Sequence, residues 1–128
     1  NRAGEFIYST FLSPAQVGSA EIALQILQSA QEKRKYLQEI SRNFRKILNI
    51  EELEGTNTPS PIIPVLIGDP AKTLELRNHL LQRGIMVGAI RPPTVPPHTS
   101  RLRISLHTGV TSETLEELGN IINPWMKS

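Results

Sequence analysis

Four prolines fall within the six residues 92–97, in the segment Arg91-Pro92-Pro93-Thr94-Val95-Pro96-Pro97. A proline ring fixes its own φ and disfavours helix in the residue before it, so this stretch must run as a stiff, extended loop. Immediately downstream, Arg101-Leu102-Arg103-Ile104-Ser105-Leu106 alternates polar with apolar residues. That period of two predicts a strand with Leu102, Ile104 and Leu106 on one face and Arg101, Arg103 and Ser105 on the other.

The rest of the chain is read from the same kind of signal. Ile62 to Ile67 is apolar and β-branched and predicts a strand. Pro64 cannot donate a ladder hydrogen bond, which makes that strand an edge strand or a bulged one. Asp69-Pro70 opens a helix with Leu74, Leu76, Leu80 and Leu81 on its apolar side, stopped by Gly84. Ile85 to Ile90 predicts a short strand, and Thr111 or Ser112 caps a last helix with Leu115, Leu118, Ile122 and Trp125 along one side. In the first half, Ser13-Pro14-Ala15-Gln16 is a capping-box helix start. Ala20, Ala23, Leu24 and Leu27 then mark one face for burial, and Leu37, Ile40, Phe44, Ile47 and Leu48 continue a helical stripe. The two helices are expected to be nearly continuous, with a bend around Ala30, and to end before the exposed loop that begins at Gly55.

The sum is an α+β chain: two long helices, then strand–helix–strand–strand–helix, with three strands backed by helices. Residues 1–12, with Phe6, Ile7 and Tyr8 together, read as a segment at the junction with a larger structure. Residues 13–54 form connecting helices, and residues 55–128 a small C-terminal α/β domain.

Composition narrows the function classes. Fourteen Lys and Arg against twelve Asp and Glu leave a net charge of +2. Lys33, Arg34, Lys35, Arg42, Arg45 and Lys46 crowd one helix, but Glu32, Glu39, Glu51 and Glu52 interleave with them. The expectation is a solvated helix face and no nucleic-acid partner. The longest apolar run, Ile62 to Ile67, is broken by Pro64 and is far short of a membrane span. Cysteine is absent, so neither disulfides nor thiolate chemistry is available. The chain opens Asn1-Arg2-Ala3 with no basic-then-apolar leader, and the expected location is cytoplasmic.

Local chemistry is sparse. His79, His98 and His107 show no metal-ligand spacing, so no metal is expected. Glu21, Asp69 and Glu75 are too scattered for a carboxylate pair, Ser9-Thr10 is not flanked as a nucleophile elbow, and no Gly-rich phosphate loop is present. Arg101 and Arg103 leave one strand face together and could receive a carboxylate in a guanidinium fork. Taken alone, the strand pattern favours two ordinary residues on a solvent face, and the loop upstream shifts that balance. The stiff loop upstream is a suitable device for holding Thr94 against a ligand.

Ala89-Ile90-Arg91-Pro92-Pro93-Thr94-Val95-Pro96, followed by Thr99-Ser100-Arg101-Leu102-Arg103-Ile104-Ser105-Leu106, resembles the C-terminal region of the α-oxoamine synthases, in their 8-amino-7-oxononanoate synthase branch. Phe6-Ile7-Tyr8-Ser9-Thr10 with Pro14-Ala15 resembles the segment that follows the cofactor lysine in that family. The resemblance runs from about Phe6 to the final helix. It implies the small domain of a fold-type-I, pyridoxal 5'-phosphate-dependent homodimer. Such enzymes condense L-alanine with pimeloyl-CoA or a pimeloyl-carrier protein, losing carbon dioxide and the thiol. The runner-up is a sister α-oxoamine synthase resembling 2-amino-3-oxobutyrate CoA ligase; a non-catalytic interaction module of the same fold is the other alternative.

Residue by residue, the resemblance gives Thr94 contact with substrate and Arg103 the amino-acid carboxylate. It gives Ser9 and Thr10 the cofactor phosphate of the partner subunit. None of Lys33, Lys35, Lys46, Lys72 or Lys127 sits in the serine-rich motif of the family's Schiff-base lysine. No catalytic residue is therefore assigned here, and the 128 residues alone are expected to be inactive. His98 stands where the family usually has Gly, so that turn either avoids the left-handed region or strains His into it. Val110 stands where a His often precedes the last helix.

Overall fold

Capping chemistry sets where the first helix starts in the computed structural model, which describes residues 12–50 and 60–126. Ser13 holds extended backbone and accepts from the Gln16 N–H at 3.3 Å, while Gln16 Oε1 accepts from the Ser13 N–H at 3.0 Å. Two of the orphan donors at the helix start are satisfied reciprocally. The helix, α1, spans Pro14–Ser29. One non-helical residue, Ala30, separates it from α2 at Gln31–Ile47, so the helical run is broken where a break is expected.

The chain divides into two compact units between Glu32 and Lys33. In the first, α1 buries no residue: Leu24 and Leu27 are 56% and 57% exposed. This corrects the expectation that Ala20, Ala23, Leu24 and Leu27 are buried. Helical spacing specifies a face that would gain from cover, not what covers it. No other described element of that unit does so.

In the second unit the predicted stripe of α2 holds: Ile40, Phe44 and Leu48 are buried. The helix stops in a Schellman-type turn. Asn49 adopts φ 52°, its N–H donates to Lys46 O, and the Ile50 N–H donates to Arg45 O. Asn123 Nδ2, reaching from the last helix, donates to Ile47 O at 3.1 Å. Arg45 does not belong to the solvated basic face. It is buried, and Nη2 lies 3.3 Å from both Ser60 O and Ile62 O, which it serves as donor. Those carbonyls lie at the start of the first strand, so a buried guanidinium fastens α2 to the sheet. The Ser41 hydroxyl adds a 2.7 Å bond to Ser60 O.

Three strands follow: β1 at Ile62–Gly68, β2 at Gly88–Ile90 and β3 at Ser100–Ser105. They form an antiparallel sheet in the order β1-β3-β2. Pro64 meets both of its predicted conditions. It lies on an edge strand, and the register shifts between Leu66 and Gly68, where Gly68 takes φ +87°. Helix α3, Pro70–Leu81, starts at Asp69, whose Oδ1 accepts from the Lys72 N–H at 2.8 Å. It ends with Gly84 at φ +79° and the Ile85 N–H bonded to Leu80 O. That bond takes Ile85 into the helix stop, and β2 shortens from the expected Ile85–Ile90 to its last three residues. Helix α4, Ser112–Met126, is capped by Thr111, whose Oγ1 accepts from the Thr114 N–H.

One core unites these elements: Phe44, Ile63, Val65, Leu76, Leu80, Leu102, Leu115 and Ile122 are all fully buried in it. The register places Ile63 opposite Ile104 and Val65 opposite Leu102, so these side chains share one sheet face, the face the helices cover. The result is the expected α+β arrangement.

Candidate functional site

The other sheet face carries Arg101 and Arg103, the two arginines singled out in the sequence. Across the strands, Pro64, Arg103 and Gly88 form one row and Leu66, Arg101 and Ile90 the next. Ile62 and Leu66 are about half exposed there, at 48% and 57%, so no described element covers this face fully.

The two arginines of β3 differ in their commitments. Arg101 is half-buried, and its Nε donates to Thr99 O at 2.9 Å, which ties the strand to the loop before it. Arg103 is exposed, and among the described residues its guanidinium makes no hydrogen bond or ion pair. Its side chain lies over Gly88: a Cβ placed there would sit 3.6 Å from Arg103 Cβ and Nε, at ordinary contact distance. Arg103 also lines an open groove of about 360 Å³ with Arg77, Met86, Val87, Gly88 and Ser105. Arg77 carries no signal in the sequence, because it sits on a helix with no motif around it. Only the tertiary packing of α3 beside β2 brings it to Arg103.

Thr94 is exposed on the proline loop, where its N–H closes a turn onto Arg91 O at 3.1 Å. It does not line the groove with Arg103. The loop returns to the sheet through Thr99, whose hydroxyl donates to Pro96 O at 2.7 Å. His98 adopts φ 62°, so of the two outcomes foreseen for that turn the strained one occurs. Its carbonyl faces Gly68, at 3.5 Å from where a Cβ would stand. The loop is thereby packed onto the β1–α3 junction.

The remaining histidines are occupied elsewhere. His79 stacks obliquely on Trp125, with ring centroids 6.3 Å apart, and His107 Nδ1 accepts from the Gly109 N–H. Ser9, Thr10 and Lys127 lie outside the described residues. Lys33, Lys35 and Lys46 are exposed on α2 and Lys72 on α3, and none stands on the open sheet face. The described residues therefore do not themselves form a seat for pyridoxal phosphate; what they present is an exposed Arg103 side chain at an open groove.

Comparison with known proteins gives this arrangement a context. A "putative 8-amino-7-oxononanoate synthase" of Magnetococcus marinus is 43% identical over 113 residues, covering 88% of this chain and 29% of the relative. The solved 8-amino-7-oxononanoate synthase of Francisella tularensis matches 98% of this chain and 37% of its own, with a TM-score of 0.77 and 26% identity. A serine palmitoyltransferase from S. paucimobilis, solved with a bound PLP–myriocin aldimine, matches with a TM-score of 0.72 and 26% identity, over 94% of this chain and 31% of its own. The chain thus spans about three tenths of the length of the curated relatives it matches. The family model for aminotransferase class I and II matches residues 1–122, nearly the whole sequence. With that match and the α+β domain it describes, the chain belongs to the aminotransferase class I and II family.

Proposed function

We propose that the complete gene product is an 8-amino-7-oxononanoate synthase of biotin biosynthesis, a homodimer in the cytoplasm that joins L-alanine to a pimeloyl thioester. A carbon–carbon bond forms between the alanine α-carbon and the acyl carbonyl, the thioester carbon–sulfur bond breaks, and the alanine carboxyl group leaves as carbon dioxide. Pyridoxal phosphate, the cofactor of the related enzymes, supplies the electron sink for that chemistry when bound. Residues 55–128 serve as the small domain and residues 13–54 as its connecting helices.

The observation that carries the reading is Arg103, an uncommitted guanidinium on an uncovered sheet face, in a chain 43% identical to a relative bearing that name. In this proposal its fork grips the alanine carboxylate and fixes the carboxylate plane, which orients the bond that will break. Arg101, held by Thr99 O, keeps the loop in place, and the loop presents Thr94 to the substrate. Ser9 and Thr10 reach the cofactor phosphate of the partner subunit.

The test is an assay of the complete gene product with pimeloyl-CoA and a panel of L-alanine, glycine and L-serine. Release of free thiol and of carbon dioxide is followed together. Alanine should give the highest kcat/KM. Preference for glycine or serine would reassign the enzyme to a sister synthase. No turnover with any of them would refute the catalytic reading.

A further inference from the structure

Beyond Arg103, the short edge strand β2 is flanked by two more guanidiniums. The groove of about 360 Å³ that holds Arg103, Arg77, Met86, Val87, Gly88 and Ser105 adjoins a second, of about 310 Å³, lined by Leu74, Arg77, Val87, Gly88, Ala89 and Arg91. The two share Arg77, Val87 and Gly88. Three arginines thus border one short strand, and among the described residues no carboxylate lines either groove. Among the described residues the Arg77 side chain makes one long contact, 3.4 Å, from Nη1 to Asn78 Oδ1.

Like charges gathered in a concave, partly apolar setting repel one another and raise a positive potential that concentrates anions. An interior ion-pair network would have supplied acids, and none of the described residues that line the site is one. Gly88, with no side chain of its own, lets the Arg103 side chain lie against the strand between the grooves. No strand pairs with the far side of β2 among the described residues. Met86, 86% exposed, and Val87 add an apolar rim.

We propose that the β2 edge is an oxyanion site centred on Arg77, additional to the amino-acid carboxylate at Arg103. Its ligand carries either a diphosphate or a terminal carboxylate on an apolar chain. Which substrate brings that anion rests on the function proposed above: the diphosphate would belong to the thiol carrier, the carboxylate to the far end of a diacid acyl group. Arg77 is then a specificity residue for the acyl donor and has no part in binding alanine.

The test is calorimetric titration of the complete holoenzyme with pyrophosphate, pimelate, heptanoate and L-alanine, in the parent, Arg77→Gln and Arg77→Lys proteins. Loss of one charge-assisted fork should weaken the recognised anion by roughly tenfold in Arg77→Gln, with partial recovery in Arg77→Lys. L-Alanine affinity should stay unchanged in both, which also shows that the variants fold. A response confined to pyrophosphate assigns the site to carrier phosphates. A response to pimelate that heptanoate does not share assigns it to the diacid terminus. Equal anion affinities in the parent and Arg77→Gln proteins, or a parallel loss of alanine affinity, would overturn the proposal. Failure at Arg103 is read separately, from alanine binding in the Arg103 variants.

Discussion

A Cβ built on Gly119 would overlap the Cγ2 methyl of Ile47, so α4 and α2 approach as closely as they do because position 119 has no side chain. Ile47 is β-branched and stiff at χ1, so it has little freedom to turn away. Gly119→Val should therefore destabilise the protein by about 1–3 kcal/mol through overpacking. Combined with Ile47→Ala, which opens space on the facing helix, the loss should be smaller than the sum of the two single losses. Urea denaturation of the four proteins measures this, and strict additivity would show that the two side chains do not meet.

Arg103 and Arg101 should separate cleanly in the complete enzyme. Leaving the carboxylate of a desolvated pair without its partner costs about 2–5 kcal/mol, so Arg103→Ala should weaken L-alanine binding by roughly 30-fold or more. Arg103→Lys should recover little, since a point charge lacks the fork. Arg101→Ala should act on stability and loop position, having lost its 2.9 Å bond to Thr99 O. Equilibrium titration with L-alanine decides: loss of affinity in the Arg101 variant but not in the Arg103 variant reverses the assignment.

His98 tests backbone strain. At φ 62° histidine tolerates the left-handed region better than most residues, and a β-branched side chain tolerates it poorly. Melting temperatures should rank His98→Gly at or above the parent and His98→Val below it, with a loss of about 1–2 kcal/mol for valine. A valine variant as stable as the parent would mean that the turn rearranges freely.

Glu113, in the first turn of α4, has its carboxyl held below the ordinary value of 4.5, first by a backbone hydrogen bond and then by the Thr111 side chain. A depressed acid stabilises the fold above its unfolded pKa and loses that contribution as pH falls through the folded value. The contribution of Glu113 should therefore fade below about pH 4.5, and Glu113→Gln should flatten that limb of the stability curve. Thr111→Ala should move the carboxyl part of the way back toward 4.5. A side-chain NMR titration reads both, and a Glu113 midpoint unchanged by Thr111→Ala would remove the hydroxyl from the explanation.

Much of the fold was legible because its signals are local. The Ser13 capping box, Gly84, the alternation through Arg103 and the edge position of Pro64 each depend on a few neighbouring residues and physical rules of short range. The misreadings share a cause in longer-range structure. Arg45 looked like one more base on a charged helix, and only the arrival of Ser60 and Ile62 beside it makes it a buried donor. Ile85 had strand character, but its N–H is claimed by the end of α3. The stripe on α1 announced a face without naming its cover. Periodicity puts Arg103 on the face opposite the core, while its freedom, against the tether on Arg101, arises only in the folded chain. Arg77 had no signal at all, because a single arginine on a helix acquires meaning only from the strand it packs beside.

Pro64 also bears on solubility. An unprotected sheet margin recruits strands from other molecules, the first step toward fibrils. Here one margin, β1, has lost a donor to Pro64 and is distorted after Leu66, while the other, β2, is three residues long. Neither offers an incoming chain an unbroken row of hydrogen-bonding groups. The apolar residues exposed on β1, Ile62 and Leu66, can thus remain available to a proper covering surface without seeding aggregation in its absence.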